Sequence, residues 1–276
     1  MKKMKILVTG SAGFIGSHIY DLLFDMGHEV YGIDDLSGGF MRNVSHPKFF
    51  DQIDLRDRKA TEEYIKGLKP EMIYHLAADA TEGRSQFTPF SAVDRNLVAY
   101  TNLIVPAIKN GLKKMILTSS MSVYGKQQAP FNERMIPQPE DIYGISKAGM
   151  ERMTDVFSKV YGFKYVIIRP HNVYGSRQNL SDPYRNVVGI FINCLLHGRN
   201  FYVYGDGKQK RAFSHISDVA PAMVKAALSS KCEGKTINIG SDEVVFVKDL
   251  GRIVLEEFFG IKNIPKKFQP DRKSVV

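Results

Sequence analysis

The sequence predicts an α/β protein: a doubly wound parallel sheet with helices on both faces, joined to a smaller, interdigitated C-terminal lobe. Three observations predict it. An apolar run over residues 5–8 breaks into Thr9-Gly10-Ser11-Ala12-Gly13-Phe14-Ile15-Gly16, which opens a helical pattern over 18–26. Strand-like runs recur at 30–33, 49–53, 72–76, 115–118 and 165–168, with helical periodicity in most stretches between them; a sheet buried on both faces produces that alternation. After Arg169 the rhythm changes. Residues 175–179 and 182–183 are loop-like, 187–196 reads as a helix, 201–204 is an apolar run ending in Gly205-Asp206-Gly207, and 236–239 has the pattern of a strand returning to the main sheet.

The first strand and turn carry the most information. The glycine spacing is GxxGxxG. Gly10 lets the chain turn sharply off the strand, Gly13 has no Cβ to hold a phosphate away from backbone N–H groups, and Gly16 lets the helix lie close on the sheet. A helix N-terminus placed this way receives the pyrophosphate of a dinucleotide, so Gly10, Gly13, Phe14, Ile15 and Gly16 form a candidate cofactor turn. The second strand ends at Asp34, roughly 20 residues beyond the glycines, where a carboxylate accepts hydrogen bonds from an adenosine ribose. A carboxylate there repels a 2′-phosphate, which favours NAD over NADP. Asp35 beside it suits a solvated turn.

Length and composition fit one large or two interlocked domains. The chain has 276 residues, 43% of them hydrophobic, enough to bury a substantial core. The N-terminal apolar run is too short for a signal peptide and nothing approaches a membrane span. Cys194 and Cys232 are the only cysteines, so neither a disulfide framework nor a metal site is expected, and a reducing cytoplasm fits best. The formal charge of +9 is spread along the chain, densest at Lys262, Lys266, Lys267, Arg272 and Lys273. Dispersed charge argues against nucleic-acid binding and fits an anionic small substrate, or solubility alone.

A second constellation follows the fifth strand. Residues 118–125 read Thr-Ser-Ser-Met-Ser-Val-Tyr-Gly, placing hydroxyls at the carboxyl end of a strand, where open α/β sheets bind ligands. Ser119 and Ser122 also suit backbone capping; Ser120 is the better catalytic candidate. Tyr143-Gly144-Ile145-Ser146-Lys147 then begins a helical pattern reaching about Tyr161. A spacing of four puts the phenol and the ammonium on one helix face. A nearby cation favours the phenolate, which can take the proton of a substrate hydroxyl as hydride leaves the same carbon.

Taken in order, TGSAGFIGSH (9–18), DLRD (54–57), HLAA (75–78), TSSMSVYG (118–125), YGISK (143–147), RPHNVYG (169–175) and GDGKQKRAFSHISDV (205–219) resemble the extended short-chain dehydrogenase/reductases. Within that group the chain is similar to NAD-dependent nucleotide-sugar epimerases of the UDP-glucose 4-epimerase type. The resemblance implies a Rossmann-type domain over 1–171, with a return strand near 236–240, and a substrate lobe over 172–276, shortened at its C-terminus. It implies that Asp54 and Leu55 embrace adenine, that Leu76, Ala77 and Ala78 pass close to the cofactor, and that Asn96 and Lys147 help hold it. Tyr143 would be the base and Ser120 its partner at the sugar hydroxyl, with Ser122 nearby. Asn172, Asn186, Val187 and Arg211 match positions that hold the nucleotide diphosphate; Arg211 equally suits a surface arginine. Tyr202 and Tyr204 match residues flanking the base and equally suit core aromatics. Arg272 stands about where a second phosphate-binding arginine is expected. His75, at a strand end, reads as structural.

The implied reaction removes the O4 proton of a UDP-hexose while hydride passes from C4 to NAD, then returns hydride to the other face of the 4-keto sugar. A 4,6-dehydratase of the same family carries an Asp-Glu pair where this chain has Met121 and Ser122, neither suited to eliminating water. A reductase, a decarboxylase and a weakly active or non-catalytic NAD-binding protein remain as alternatives. Helices over 94–109 and 143–161 are candidates for a homodimer interface, although their apolar positions also suit packing on the sheet.

Overall fold

A computed structural model describes residues 3–184, 186–203 and 205–260. Strand β1 (Lys5–Thr9) leads through the glycine turn into helix α1 (Phe14–Asp25), then β2 (Glu29–Asp34) and the short β3 (Phe50–Gln52). Next come α2 (Arg58–Leu68), β4 (Met72–His75), α3 (Glu82–Ser85), α4 (Pro89–Val93), α5 (Ala99–Lys109), β5 (Lys114–Thr118), α6 (Ile142–Tyr161) and β6 (Lys164–Pro170). The second lobe adds β7 (Val173–Tyr174), α7 (Val187–Leu196), β8 (Lys210–Ala212), β9 (Ser214–His215), α8 (Ile216–Leu228), β10 (Lys235–Ile239), β11 (Val244–Phe246) and α9 (Val247–Phe259).

The main sheet is seven-stranded and parallel throughout, in the order β10-β6-β5-β4-β1-β2-β3. Strand order reverses beside β1, where Leu7 pairs with Tyr31 of β2 on one side and Ile73 of β4 on the other. Crossovers leave that point in opposite directions, which opens a crevice at the carboxyl ends of the strands.

The two-residue period of the strands builds two cores. Ile6, Val8, Tyr74, Ile116, Val166 and Ile168 face α1 and α8, meeting Ile19, Leu23, Val219 and Met223. The alternate residues Leu7, Ile33, Ile73, Met115, Leu117 and Ile167 face the other layer, meeting Ile65, Leu103, Ile104 and Met150. A one-residue slip would exchange these sets, so burial on both faces locks the register.

In the second lobe the apolar run that follows α7 packs rather than pleats. Residues 201–203 form no strand; Phe201 instead stacks on Phe191 of α7 at 4.0 Å and meets α9 at Gly251. The apolar run reflects packing between helices, not pleating. The strands of this lobe are short pairs, β8 antiparallel with β11 and β7 parallel with β9, while β10 returns to the edge of the main sheet beside β6.

The helix expected over 94–109 begins earlier, at Pro89. Asp94–Val98 forms a wider π-type turn between α4 and α5, and Asn96 lies within it. Such turns are frequent at functional sites because they re-aim a side chain without ending the helix.

Candidate active site

The glycine turn is shaped by close approach. Gly10 has φ +72, and a Cβ there would stand 2.7 Å from the Ala77 nitrogen. A Cβ on Gly16 would stand 2.0 Å from the Gly10 carbonyl oxygen, so only glycine lets α1 start this close to the turn. Gly13 is the helix N-cap and supplies no side chain to the first-turn amides. Phe14 and Ile15, the first two residues of α1, are half-buried beside it.

Asp34 braces this turn from the end of β2. Its carboxylate accepts the Ala12 amide at 3.1 Å and the Leu36 amide at 2.8 Å. Burial pushes its pKa up, and these amides oppose the rise. Beneath the turn, the Ala77 amide donates to Thr9 Oγ1 at 3.2 Å, and that hydroxyl shares a 2.8 Å hydrogen bond with His75 Nδ1. Burial holds His75 down to about 3, so the ring is neutral at physiological pH. A buried neutral ring tied to the strand next door is a structural element, in keeping with the sequence reading.

At the far side, Arg56 grips the Asp54 carboxylate with Nε at 3.0 Å and Nη2 at 2.6 Å, holding its pKa low. Leu55 is buried, and its carbonyl accepts from Asn102 Nδ2 at 2.9 Å. Leu76, Ala77 and Ala78 follow β4 and are half-buried. Asn96 donates Nδ2 to the Ala92 carbonyl at 2.7 Å and the Asp79 carbonyl at 3.3 Å, while its buried Oδ1 has no hydrogen-bond partner. Asp79 is itself held by Thr81 at 2.6 Å and by Arg84 at 2.8 Å.

The second constellation forms where β5 meets α6. Asp141 caps α6 by accepting the Gly144 amide at 2.8 Å, which fixes the first turn carrying Tyr143. That turn lies against the segment after β5, because a Cβ on Gly144 would stand 3.0 Å from the Ser122 carbonyl oxygen. Ser120 Oγ accepts the Ser122 amide at 3.1 Å. Thr118 Oγ1 and Ser122 Oγ are buried without partners.

Lys147 donates Nζ to the Thr118 carbonyl at 2.8 Å and lies 5.7 Å from the centroid of the Tyr143 ring. Tyr143 and Lys147 are 6% and 1% exposed. Burial lowers the Lys147 pKa to about 8, with Glu151 opposing the fall. A phenol, a buried ammonium and a strand-end hydroxyl thus share one corner of the crevice, the arrangement a proton-transfer step at a substrate hydroxyl needs.

Sequence reasoning passed over the residues that hold this corner. Glu151 and Arg169 form a buried bidentate pair, Nε to Oε1 at 2.8 Å and Nη2 to Oε2 at 2.6 Å. The signal was present, since Tyr143, Lys147 and Glu151 continue one spacing of four along the helix.

The substrate-lobe candidates are placed differently. Asn172, with φ +32, donates Nδ2 to the Ala212 carbonyl at 2.9 Å and so ties the end of β6 to β8. Asn186 caps α7, accepting the Val188 amide at 3.0 Å and donating to the Val173 carbonyl at 3.0 Å; Val187 is the first residue of that helix. Arg211 is exposed on β8 and donates to the Lys210 carbonyl at 2.8 Å. Tyr202 is 69% exposed, which rules out the core-aromatic reading for it. Tyr204 and Arg272 lie outside the described residues. Among the described residues no cluster of three or more His, Cys, Asp or Glu side chains is arranged for a metal ion.

The pattern of the NAD dependent epimerase/dehydratase family matches residues 6–240. The chain belongs to that family. It is 35% identical over 255 residues to the UDP-glucose 4-epimerase of Mycolicibacterium smegmatis, covering 90% of this chain and 80% of the relative. A solved UDP-glucose 4-epimerase of Thermotoga maritima with UDP-glucose superposes with a TM-score of 0.88 at 34% identity, covering 99% of this chain and 88% of that one. A Thermus thermophilus UDP-glucose 4-epimerase complexed with NAD gives 0.87 at 32% identity, with 99% and 88% covered.

The residues of this family member fit NAD on their own geometry. The glycine cradle would be filled by any Cβ, the first turn of α1 has no side-chain cap, and Asn96 Oδ1 is an orphaned buried acceptor.

Proposed function

We propose that this chain inverts C4 of a nucleotide sugar, a UDP-hexose, with NAD held in place and regenerated in each cycle. The observation that carries this reading is the Tyr143 and Lys147 pair, buried together beside the strand-end serines. Gly10, Gly13, Phe14, Ile15 and Gly16 would receive the pyrophosphate, Asp34 the adenosine ribose, Asp54 and Leu55 the adenine, and Leu76, Ala77, Ala78, Asn96 and Lys147 the remainder. Bound NAD supplies a hydride acceptor that becomes a hydride donor.

The protein supplies the proton chemistry. Lys147 holds positive charge beside Tyr143, which favours the phenolate and lets it take the O4 proton. Ser120 donates its hydroxyl to the sugar oxygen and steadies the developing ketone, and Tyr143 returns the proton at the end. Asn172, Asn186, Val187 and Arg211 would anchor the diphosphate while Tyr202 flanks the base; a guanidinium suits this because it binds phosphate oxygens in a fork. Tight anchorage of the nucleotide with few contacts to the sugar leaves the ketone free to present its other face.

Residues 1–171 with the return strand form the cofactor part in this reading, and 172–276 the sugar-nucleotide part. The working unit is a homodimer. Helix α6 carries an outward stripe of Ile145, Val156 and Val160, beside Val98 of the neighbouring helical run; these are 51%, 41%, 66% and 40% exposed. Gly149 lies within the stripe, against Leu97. No helix among the described residues is long and apolar enough to cross a membrane. Two free cysteines, Cys194 and Cys232, suit a reducing cytoplasm.

The test is incubation of purified protein with UDP-glucose, UDP-N-acetylglucosamine and UDP-glucuronic acid, reading C4 configuration by proton NMR. Inversion without net cofactor reduction is expected. Stoichiometric reduction, loss of water or release of carbon dioxide would each replace this reading with another reaction of the family.

A further inference from the structure

Glu151, one helical turn beyond Lys147, is 7% exposed. Arg169 of β6 holds it as a fork, and Ser119, the residue after β5, donates its hydroxyl to the same carboxylate. Arg169 lies over the Tyr124 ring at 4.7 Å, and Tyr124 donates to Asn238 of β10 at 2.8 Å. The carboxylate is thereby fixed to the ends of three neighbouring strands.

Stability gives no reason for such a pair, because well-packed apolar residues commonly replace a buried ion pair without loss. Its neighbour gives one. Lys147 is buried, and the partner of its Nζ is a neutral carbonyl oxygen. A buried ammonium among neutral groups sheds its proton readily, and a nearby carboxylate opposes that. The groups around Lys147 are few: Tyr143 and Glu151 on its own helix, His75 of β4, which is neutral, and Arg169 of β6 behind Glu151.

We propose that Glu151 is a positioning residue for the reaction: it supplies the negative charge that keeps the Lys147 ammonium intact and aimed at Tyr143. This rests on the reading of Tyr143 as the base. Arg169 takes a share of the same charge, so the two partners act on Lys147 in opposite senses. Removing Glu151 weakens the ammonium and with it the phenolate; removing Arg169 leaves Lys147 as the cation beside the carboxylate, which keeps its hydrogen bond from Ser119.

The experiment follows the Tyr143 phenolate by ultraviolet difference absorption of the holoenzyme against its Tyr143→Phe variant across pH, beside kcat and KM. Glu151→Gln keeps the shape of the side chain. It is expected to raise the pH at which Tyr143 ionises by about one unit and to lower kcat at neutral pH about tenfold, with KM little changed. Arg169→Gln is expected to leave that ionisation in place or move it down. The double variant Glu151→Gln/Arg169→Gln removes both members of the buried ion pair and so strands neither of them, and it carries the test should the single variant not fold; it is expected to behave as Glu151→Gln does.

A folded double variant whose Tyr143 ionises at the wild-type pH would overturn the proposal. So would a fall in kcat with the ionisation unmoved, because that is the signature of a purely structural pair. A wild-type enzyme that inverts no C4 would instead overturn the proposed reaction, while the phenolate titration still decides the role of Glu151.

Discussion

In the proposed reaction Tyr143 and Lys147 divide the proton chemistry, and each would leave its own kinetic trace. Tyr143→Phe removes the acid and base while keeping the ring, so kcat for C4 inversion is expected to fall about 10²–10⁴-fold with KM almost unchanged; NMR of the sugar product measures it. Lys147 bears on the alkaline side. Burial brings its pKa to about 8, so kcat is expected to decline as pH rises through that value and the ammonium beside the phenolate is lost. His75 acts on stability. Its pKa lies at about 3 when folded, against 6.5 for a free ring, so the unfolded chain takes up the proton first as pH falls. Stability from the neutral ring is complete above about 6.5 and is lost progressively toward 3. A His75→Gln variant is expected to flatten the acid side of the urea-midpoint profile.

At the scale of the element, two helix starts set the site. A methyl group on Gly16 meets backbone at 2.0 Å, and backbone cannot yield as a flexible side chain does. Gly16→Ala is therefore expected to destabilise the protein by about 1–3 kcal/mol, as overpacking does, and to weaken retention of NAD; thermal melting and cofactor content after gel filtration read the two effects. Asp141 holds the first turn of α6 through one hydrogen bond. Asp141→Ala is expected to cost about 1 kcal/mol of stability and to lower kcat as well, because the turn it frays carries Tyr143. Most strands were legible within a residue or two, since β-branched runs between turn residues have little else to become. The apolar run that begins at Phe201 carried no mark of its partner, because a short apolar stretch has the same composition whether it pleats or packs between helices. The early start of the helical run at Pro89 was hidden because α4 exposes Phe90 at 91% and shows no inward stripe of its own.

The whole molecule works by joining a rigid sheet to a lobe of short, tied segments. Asn172 bridges β6 to β8 and Asn186 bridges α7 to β7, so these residues brace the second lobe. The proposed homodimer belongs to the same scale. Burying the outward stripe of α6 against a second copy would stabilise both, at roughly 25 cal/mol for each square ångström of apolar surface removed from water. Val156→Glu places a charge in that stripe and is expected to shift the protein toward monomer in sedimentation velocity, while Val244→Glu, on the exposed edge of β11, leaves its mass unchanged.

The sequence by itself determined the doubly wound sheet, the glycine turn and the pairing of Tyr143 with Lys147, because these depend on spacings within one strand or helix and on residues with few other uses. The tertiary structure alone decided what lies behind them. Ser119, Glu151 and Arg169 come from a strand end, a helix and the next strand, and although a spacing of four sets Glu151 on the face of Lys147, nothing local joins it to Ser119 or Arg169. Asn172 and Asn186 matched ligand-binding positions by motif, but which backbone carbonyls their amides meet depended on how the second lobe folded over. Periodicity is a local property that a linear chain carries openly, whereas the charge balance of a buried corner exists only once distant segments share one low-dielectric space.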